Sequence, residues 1–137
     1  MGLRNQQRVA AFSAKAATGE SNSILVEDFR HINFDLATAG MGAGDSIVVK
    51  VQGSMSDDAP DFGASQSVSN RWDYIDCKDM EDTTDFDGDT GILLENADSV
   101  RQFSVNVDGL RWLALNVTTI SDTDNTSISS LVKLFND

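Results

Sequence analysis

The sequence predicts an all-β single domain: a β-sandwich of about eight strands, jelly-roll-like, with an extended N-terminal arm. Three observations carry this expectation. From residue 23 onward apolar and polar residues alternate with a period of two; the alternating runs are short and separated by clusters of Gly, Asn, Asp and Ser; and no segment sustains a helical stripe. A chain of 137 residues buries enough apolar surface for one core without metal or disulfide staples, and two cores are not expected.

Residues 1–22 form the expected arm. Their side chains are mostly small or polar (Ala10, Ala11, Ser13, Ala14, Ala16, Ala17, Thr18), and a Gly-Glu-Ser-Asn exit begins at Gly19. A helix over residues 6–16 is open to such an alanine-rich segment but would be marginal alone in water. Two readings stay open: an untethered terminus, or a segment ordered by a partner through Arg4, Arg8, Phe12 and Lys15. Deleting residues 1–20 is expected to leave the domain folded.

The sandwich domain spans residues 23–137. Its first strand is Ile24-Leu25-Val26, and its second sets Ile32, Phe34 and Leu36 against His31, Asn33 and Asp35, so that one face is buried. The glycines of residues 39–44 permit a tight reversal. Residues 46–55 place Ile47, Val49, Val51 and Met55 inward and Lys50, Gln52 and Ser54 toward water, with Gly53 as a candidate bulge. Residues 56–70, which hold the sole proline, Pro60, read as a long loop of the kind that is often functional or oligomer-forming.

Residues 71–77 read as a fourth strand covered on both faces, with Trp72 and Tyr74 opposite Ile75 and Cys77. An acidic loop then leads to a fifth strand at residues 91–94. The sixth, residues 100–107, turns Phe103, Val105 and Val107 inward. Asp108-Gly109 is a strong hairpin signal, and joins it to residues 111–120, where Leu113, Leu115 and Val117 alternate with Trp112, Ala114 and Asn116. A polar turn precedes the last strand, residues 128–135. Eight short strands suggest two packed sheets whose inner faces supply the core.

Charge narrows the function classes. The net charge is −12 and the isoelectric point about 4.2, so the folded domain repels phosphate backbones and direct nucleic-acid binding is not expected. The arm differs: Arg4, Arg8 and Lys15 against Glu20 give +2, leaving −14 on residues 23–137. No stretch approaches the ~20 apolar residues of a membrane span, no secretory signal or myristoylation pattern is expected at the N-terminus, and the single Cys77 precludes an intrachain disulfide.

No catalytic constellation is expected, and no cofactor. His31 lacks a recognisable nucleophile partner and reads as a surface or interface histidine. Asp76 and Asp79 would raise the Cys77 thiol pKa rather than lower it, so Cys77 reads as a packing residue, and one Cys with one His cannot build the usual zinc site. The segment Asp85-Phe86-Asp87-Gly88-Asp89-Thr90-Gly91 invites a calcium reading. As an EF-hand it has Thr90 where glycine is needed and Asn96 where a bidentate glutamate is needed, so a solvated turn is preferred. Asn116 and Asn125 start glycosylation patterns that read as coincidence without a secretory signal.

The segments Asn70-Arg71-Trp72-Asp73-Tyr74-Ile75, Gly91-Ile92, Val105-Asn106-Val107, Arg111-Trp112 and Val117-Thr118-Thr119-Ile120-Ser121, with the polar arm and acidic exterior, resemble the small capsid decoration (cement) proteins of tailed bacteriophages. That resemblance implies a virion structural protein, made in the host cytoplasm, that joins the outer capsid surface as a dimer or trimer and ties neighbouring copies of the major capsid protein together. No residue-level binding motif carries over from it, and the residues themselves lead to the expectation of no enzyme and no membrane partner. The alternative is a carbohydrate-binding or adhesin-like module, which Trp72, Tyr74 and Trp112 would favour if they line an open groove.

Overall fold

The computed structural model describes residues 6–121 and 125–135. Among them there is no helix. Twelve strands follow in chain order: β1 (Gln6–Lys15), β2 (Gly19–Glu20), β3 (Ile24–Leu25), β4 (His31–Ala39), β5 (Ser46–Ser54), β6 (Asp73–Ile75), β7 (Cys77–Asp79), β8 (Asp85–Phe86), β9 (Ile92–Glu95), β10 (Val100–Asn106), β11 (Trp112–Ser121) and β12 (Ser127–Phe135). They make two six-stranded antiparallel sheets. One runs β1-β12-β4-β10-β7-β8; the other runs β2-β11-β5-β6, with β3 on β11 and β9 on β5. We refer to them as the first and second sheets.

The expected alternation sets the core. Ile32, Phe34 and Leu36 of β4, Phe103 and Val105 of β10, and Val132 and Leu134 of β12 are buried from the first sheet, and Ile47, Val49, Val51, Leu113, Leu115 and Val117 from the second. Phe34 and Phe103 stand opposite each other in the β4–β10 register, rings stacked at 5.2 Å, with Phe86 edge-on to Phe103 at 5.7 Å. Such pairs add about 0.5–1.5 kcal/mol beyond the area they bury. The chain alternates between sheets, β4 to β5 and then β9, β10, β11, β12, as expected for a jelly-roll-like sandwich.

Two connections differ from expectation. Residues 107–110 close with Leu110 N–H donating to Val107 O at 2.9 Å, but β10 and β11 belong to different sheets. Only Gly109, at φ +86°, takes a positive φ; Asp108 does not. The two-residue hairpin turn of type I′ needs positive φ at both central positions, so this turn is a corner between sheets. The strand expected over residues 71–77 also divides. Ile75 pairs with Val51 of β5, whereas β7 pairs with β10, and the chain changes sheets at Asp76. Gly88 N–H caps this crossover by donating to the Asp76 carboxylate at 2.7 Å. A Cβ on Gly88 would stand 2.8 Å from Ile75 N, so only glycine allows the acidic loop this approach.

The expected arm differs most. From Gln6 it is an edge strand, β1, paired with β12 from Gln6↔Phe135 to Lys15↔Ile128. Two register shifts explain why no alternation is visible: one between Ala10 and Phe12, the other between Phe12 and Lys15, near Ala14 at φ +50°. Each shifts the phase of the side chains, so that Phe12 turns inward and is buried in the core. The bulges also blunt the exposed edge against further pairing. Deleting residues 1–20 would therefore strip a core aromatic and an edge strand. Met55, expected inward, is 77% exposed, because β5 ends at Ser54. Gly53 forms no bulge. It lies where a Cβ would stand 2.8 Å from both Ile75 and Leu110 side chains.

Truncating Phe103 to Ala is expected to cost about 3–5 kcal/mol, from lost burial and the cavity left behind. Phe12→Ala is expected to cost more than about 1 kcal/mol, whereas a free arm would show no loss. Chemical denaturation of the two variants beside the parent protein measures both.

Candidate functional site

The loop of residues 56–70 lies across the outer face of the second sheet and is built by side chain to backbone hydrogen bonds. Asn70 Nδ2 donates to Asp61 O at 2.9 Å and Ser65 O at 3.1 Å, while Asn70 Oδ1 accepts from Asp61 N–H at 2.8 Å. Ser67 and Asn70 exchange a pair of backbone bonds. Both indole N–H groups are used to hold the loop: Trp72 donates to Ala64 O at 3.0 Å and Trp112 to Asp57 O at 3.3 Å. Gln66 Nε2 donates to Trp72 O, and Arg71 Nε to Val68 O. A buried Phe62 seats the loop, its ring 6.3 Å from that of Trp72.

Gln52 lies beneath. It neighbours core-facing Val51 on β5, so its side chain takes the outer face, in register with Tyr74 of β6 and Ala114 of β11. It was expected to face water; the loop covers it completely, at 0% exposure. Its Nε2 donates to Phe62 O at 2.9 Å, and its Oε1 has no hydrogen-bond partner. Above it a groove of about 420 Å³ is lined by Gln52, Phe62, residues 63–66, Trp72, Tyr74 and Asn116. The Trp72 and Tyr74 rings meet edge-to-face at 5.0 Å, and Lys50 Nζ lies over the Tyr74 ring at 4.7 Å. Trp72 also walls a second, more apolar hollow of about 830 Å³, with Met55, Val68, Ile75 and Leu110. Trp72, Tyr74 and Trp112 are all half-buried. Nothing in the residue alternation marks this arrangement; the long loop containing an aromatic residue was the only legible sign.

The four residues expected to bind a partner do not converge. Arg4 lies outside the described residues. Arg8 is exposed, on the outer face of the first sheet opposite Lys133. Phe12 belongs to the core, and the half-buried Lys15 places Nζ 5.8 Å from its ring centroid. Arg8 and Lys133 share a shallow hollow of about 380 Å³ with Leu131 and Phe135.

The remaining reactive groups are tied into the structure. His31 stacks on Phe135 at 5.0 Å. Cys77 is buried, and burial first, then Asp76 and Asp79, push its thiol up to about 12. Asp79 forms an ion pair with Arg101, and that hydrogen bond holds its carboxyl below the usual carboxylate range. In the acidic loop, Asp82 and Asp87 accept from the backbone N–H two residues on, at 2.9 and 2.8 Å, as turn residues do. Among the described residues no three His, Cys, Asp or Glu side chains stand together as a metal site.

Cys77 is expected to react with a disulfide reagent at pH 8 at least ~10³-fold more slowly in the native protein than after unfolding, where thiols ionise near 8.5. Thiol titration with and without denaturant measures this. For Asp79, a lowered folded-state pKa means stability that is present above the unfolded pKa of about 4 and is lost as pH falls through the folded value. Asp79→Asn should therefore destabilise at pH 7, and the difference from the parent protein should shrink toward pH 2 in thermal melts.

No protein-family description matches this sequence, and no curated protein matches it by sequence. Solved structures do resemble it. The SPBc2 prophage-derived protein YomS is similar over 99% of this chain and 97% of its own, with TM-score 0.66 at 10% identity. The PBSX exported protein XepA is similar over 99% of this chain, with TM-score 0.70 at 14% identity, and the chain spans only 39% of XepA's length. At such identities the likeness is one of fold: this chain has the β-sandwich that occurs in YomS and in part of XepA.

Proposed function

We propose that this chain is a structural protein of a tailed-phage particle, and more narrowly a capsid decoration protein. In this reading it binds the major capsid protein on the outer shell as a dimer or trimer and performs no catalysis. The observation that carries the reading is the correspondence over nearly the whole of both chains with a protein of prophage origin.

The physical construction supports it. A sandwich with its core closed on both sides, and a long loop pinned by Asn70, Trp72 and Trp112, is a rigid body. A rigid body can tie two neighbours together with little ordering cost on binding. With the arm drawn into the sheet, its exposed cation Arg8 stands beside Lys133 on a body that is otherwise strongly acidic. Paired cations on an acidic surface orient an encounter more than they strengthen it. The stacked His31 and the buried, protonated Cys77 favour the non-catalytic reading.

Adding the purified protein to shells that lack it should give saturable occupancy by co-sedimentation. The affinity should fall as salt rises, because exposed charge contacts are screened over about 8 Å at physiological ionic strength. Arg8→Glu combined with Lys133→Glu should weaken binding about tenfold or more. Absence of saturable binding by the parent protein would overturn the decoration reading.

A further inference from the structure

We propose that the groove above Gln52 is a binding subsite for an uncharged saccharide. This goes beyond the decoration reading and does not depend on it. The starting observation is an unmet bond. Gln52 is fully buried, its Nε2 is fixed on Phe62 O at 2.9 Å, and its Oε1 has no partner. Buried polar groups are nearly always hydrogen-bonded; among the described residues two buried side-chain atoms lack a partner, Arg111 Nε and Gln52 Oε1, and of these the acceptor at Gln52 calls for a donor. Because Nε2 is anchored by a carbonyl, which only a donor can meet, the amide orientation is determined and the free atom is an acceptor.

The surroundings define what would supply the donor. Gln52 lies at the base of a groove of about 420 Å³, within the size range of small-molecule sites. Trp72 and Tyr74 give it half-buried aromatic walls, suited to the C–H face of a sugar ring. Asn116 contributes a half-buried amide that makes no side-chain hydrogen bond among the described residues. Asn116 is also in register with Glu20. The Glu20 carboxylate lies close under the loop, where a Cβ on Gly63 would stand 2.6 Å from its Oε1. Acceptors at Gln52 and Glu20, and an amide that both donates and accepts, match hydroxyl groups, which do both. Lys50 Nζ, 4.7 Å over the Tyr74 ring, is a cation at the rim; against it stand the Glu20 carboxylate and a body of −14, which together select against phosphate, sulfate or uronate groups.

The probes are maltotriose, cellotriose and tri-N-acetylglucosamine, with trigalacturonate as the anionic comparison, each followed by saturation-transfer NMR and tryptophan fluorescence. At least one neutral trisaccharide should bind, and trigalacturonate at least tenfold more weakly. Asn116→Ala, at a half-buried position, should weaken binding at least fivefold with an unchanged melting temperature. Gln52→Leu should abolish it, and Asn116→Ala decides alone if Gln52→Leu does not fold. Val100→Thr, at an exposed position on the first sheet away from the groove, should bind as the parent does. No binding by any neutral probe, or equal binding by Asn116→Ala, overturns the proposal and leaves Gln52 Oε1 to a trapped water.

Discussion

The rest of this structure depends on the face-to-face closure of two sheets between which the chain repeatedly changes sides. Each change must occur without leaving buried backbone polar groups unpaired. At residues 107–110 the problem is met by a turn in which Gly109 takes positive φ and Leu110 bonds back to Val107. At Asp76 it is met by a carboxylate that accepts Gly88 N–H, with Gly88 pressed against the crossover backbone. These corners bring Phe34, Phe103 and Phe86 into one cluster facing Val51, Leu113 and Leu115. Burial of such side chains is worth about 1.5–3 kcal/mol each, so a small number of corners directs most of the favourable energy.

A second, smaller layer lies outside the second sheet. Residues 56–70 bury Phe62 and Gln52 beneath a lattice of hydrogen bonds from Asn70, Gln66, Arg71 and two indoles. The lattice bonds almost entirely to backbone carbonyls, which gives rigidity without a regular element. It also consumes the indole N–H groups. What the groove exposes is therefore ring surface and the Asn116 amide, with the unpaired Gln52 oxygen buried at its base. Stiffness serves the particle role proposed for the molecule, while Gln52 Oε1 and Arg111 Nε are the two buried side-chain atoms among the described residues that are left without a partner.

The core was legible because β4, β5, β10 and β12, and β11 as far as its bulge after Val117, keep period two, and one face of each carries Ile, Val, Leu or Phe. β1 was not, because two bulges shift its phase and alanine gives little contrast between faces. β2, β3 and β8 are two residues long, too short for any alternation to show. Asp108-Gly109 marks a turn truthfully but does not say whether the flanking strands share a sheet. The Gln52 groove was hidden for a different reason. Its cover is held through backbone carbonyls, which every residue possesses, so a polar residue at an outward strand position read as solvated.

The central claim is that residues from Gln6 onward form one cooperative sandwich, with the first strand and the long loop as working parts of it. Native-state hydrogen exchange followed by peptide mass spectrometry tests this directly. Amides of β1 that bond to β12, and those that hold residues 61–70, should be protected well above the unstructured rate, with the slowest exchange in β4, β10 and β11. Exchange of residues 6–15 at the rate of an unstructured peptide, beside a protected remainder, would contradict the account and restore the free arm.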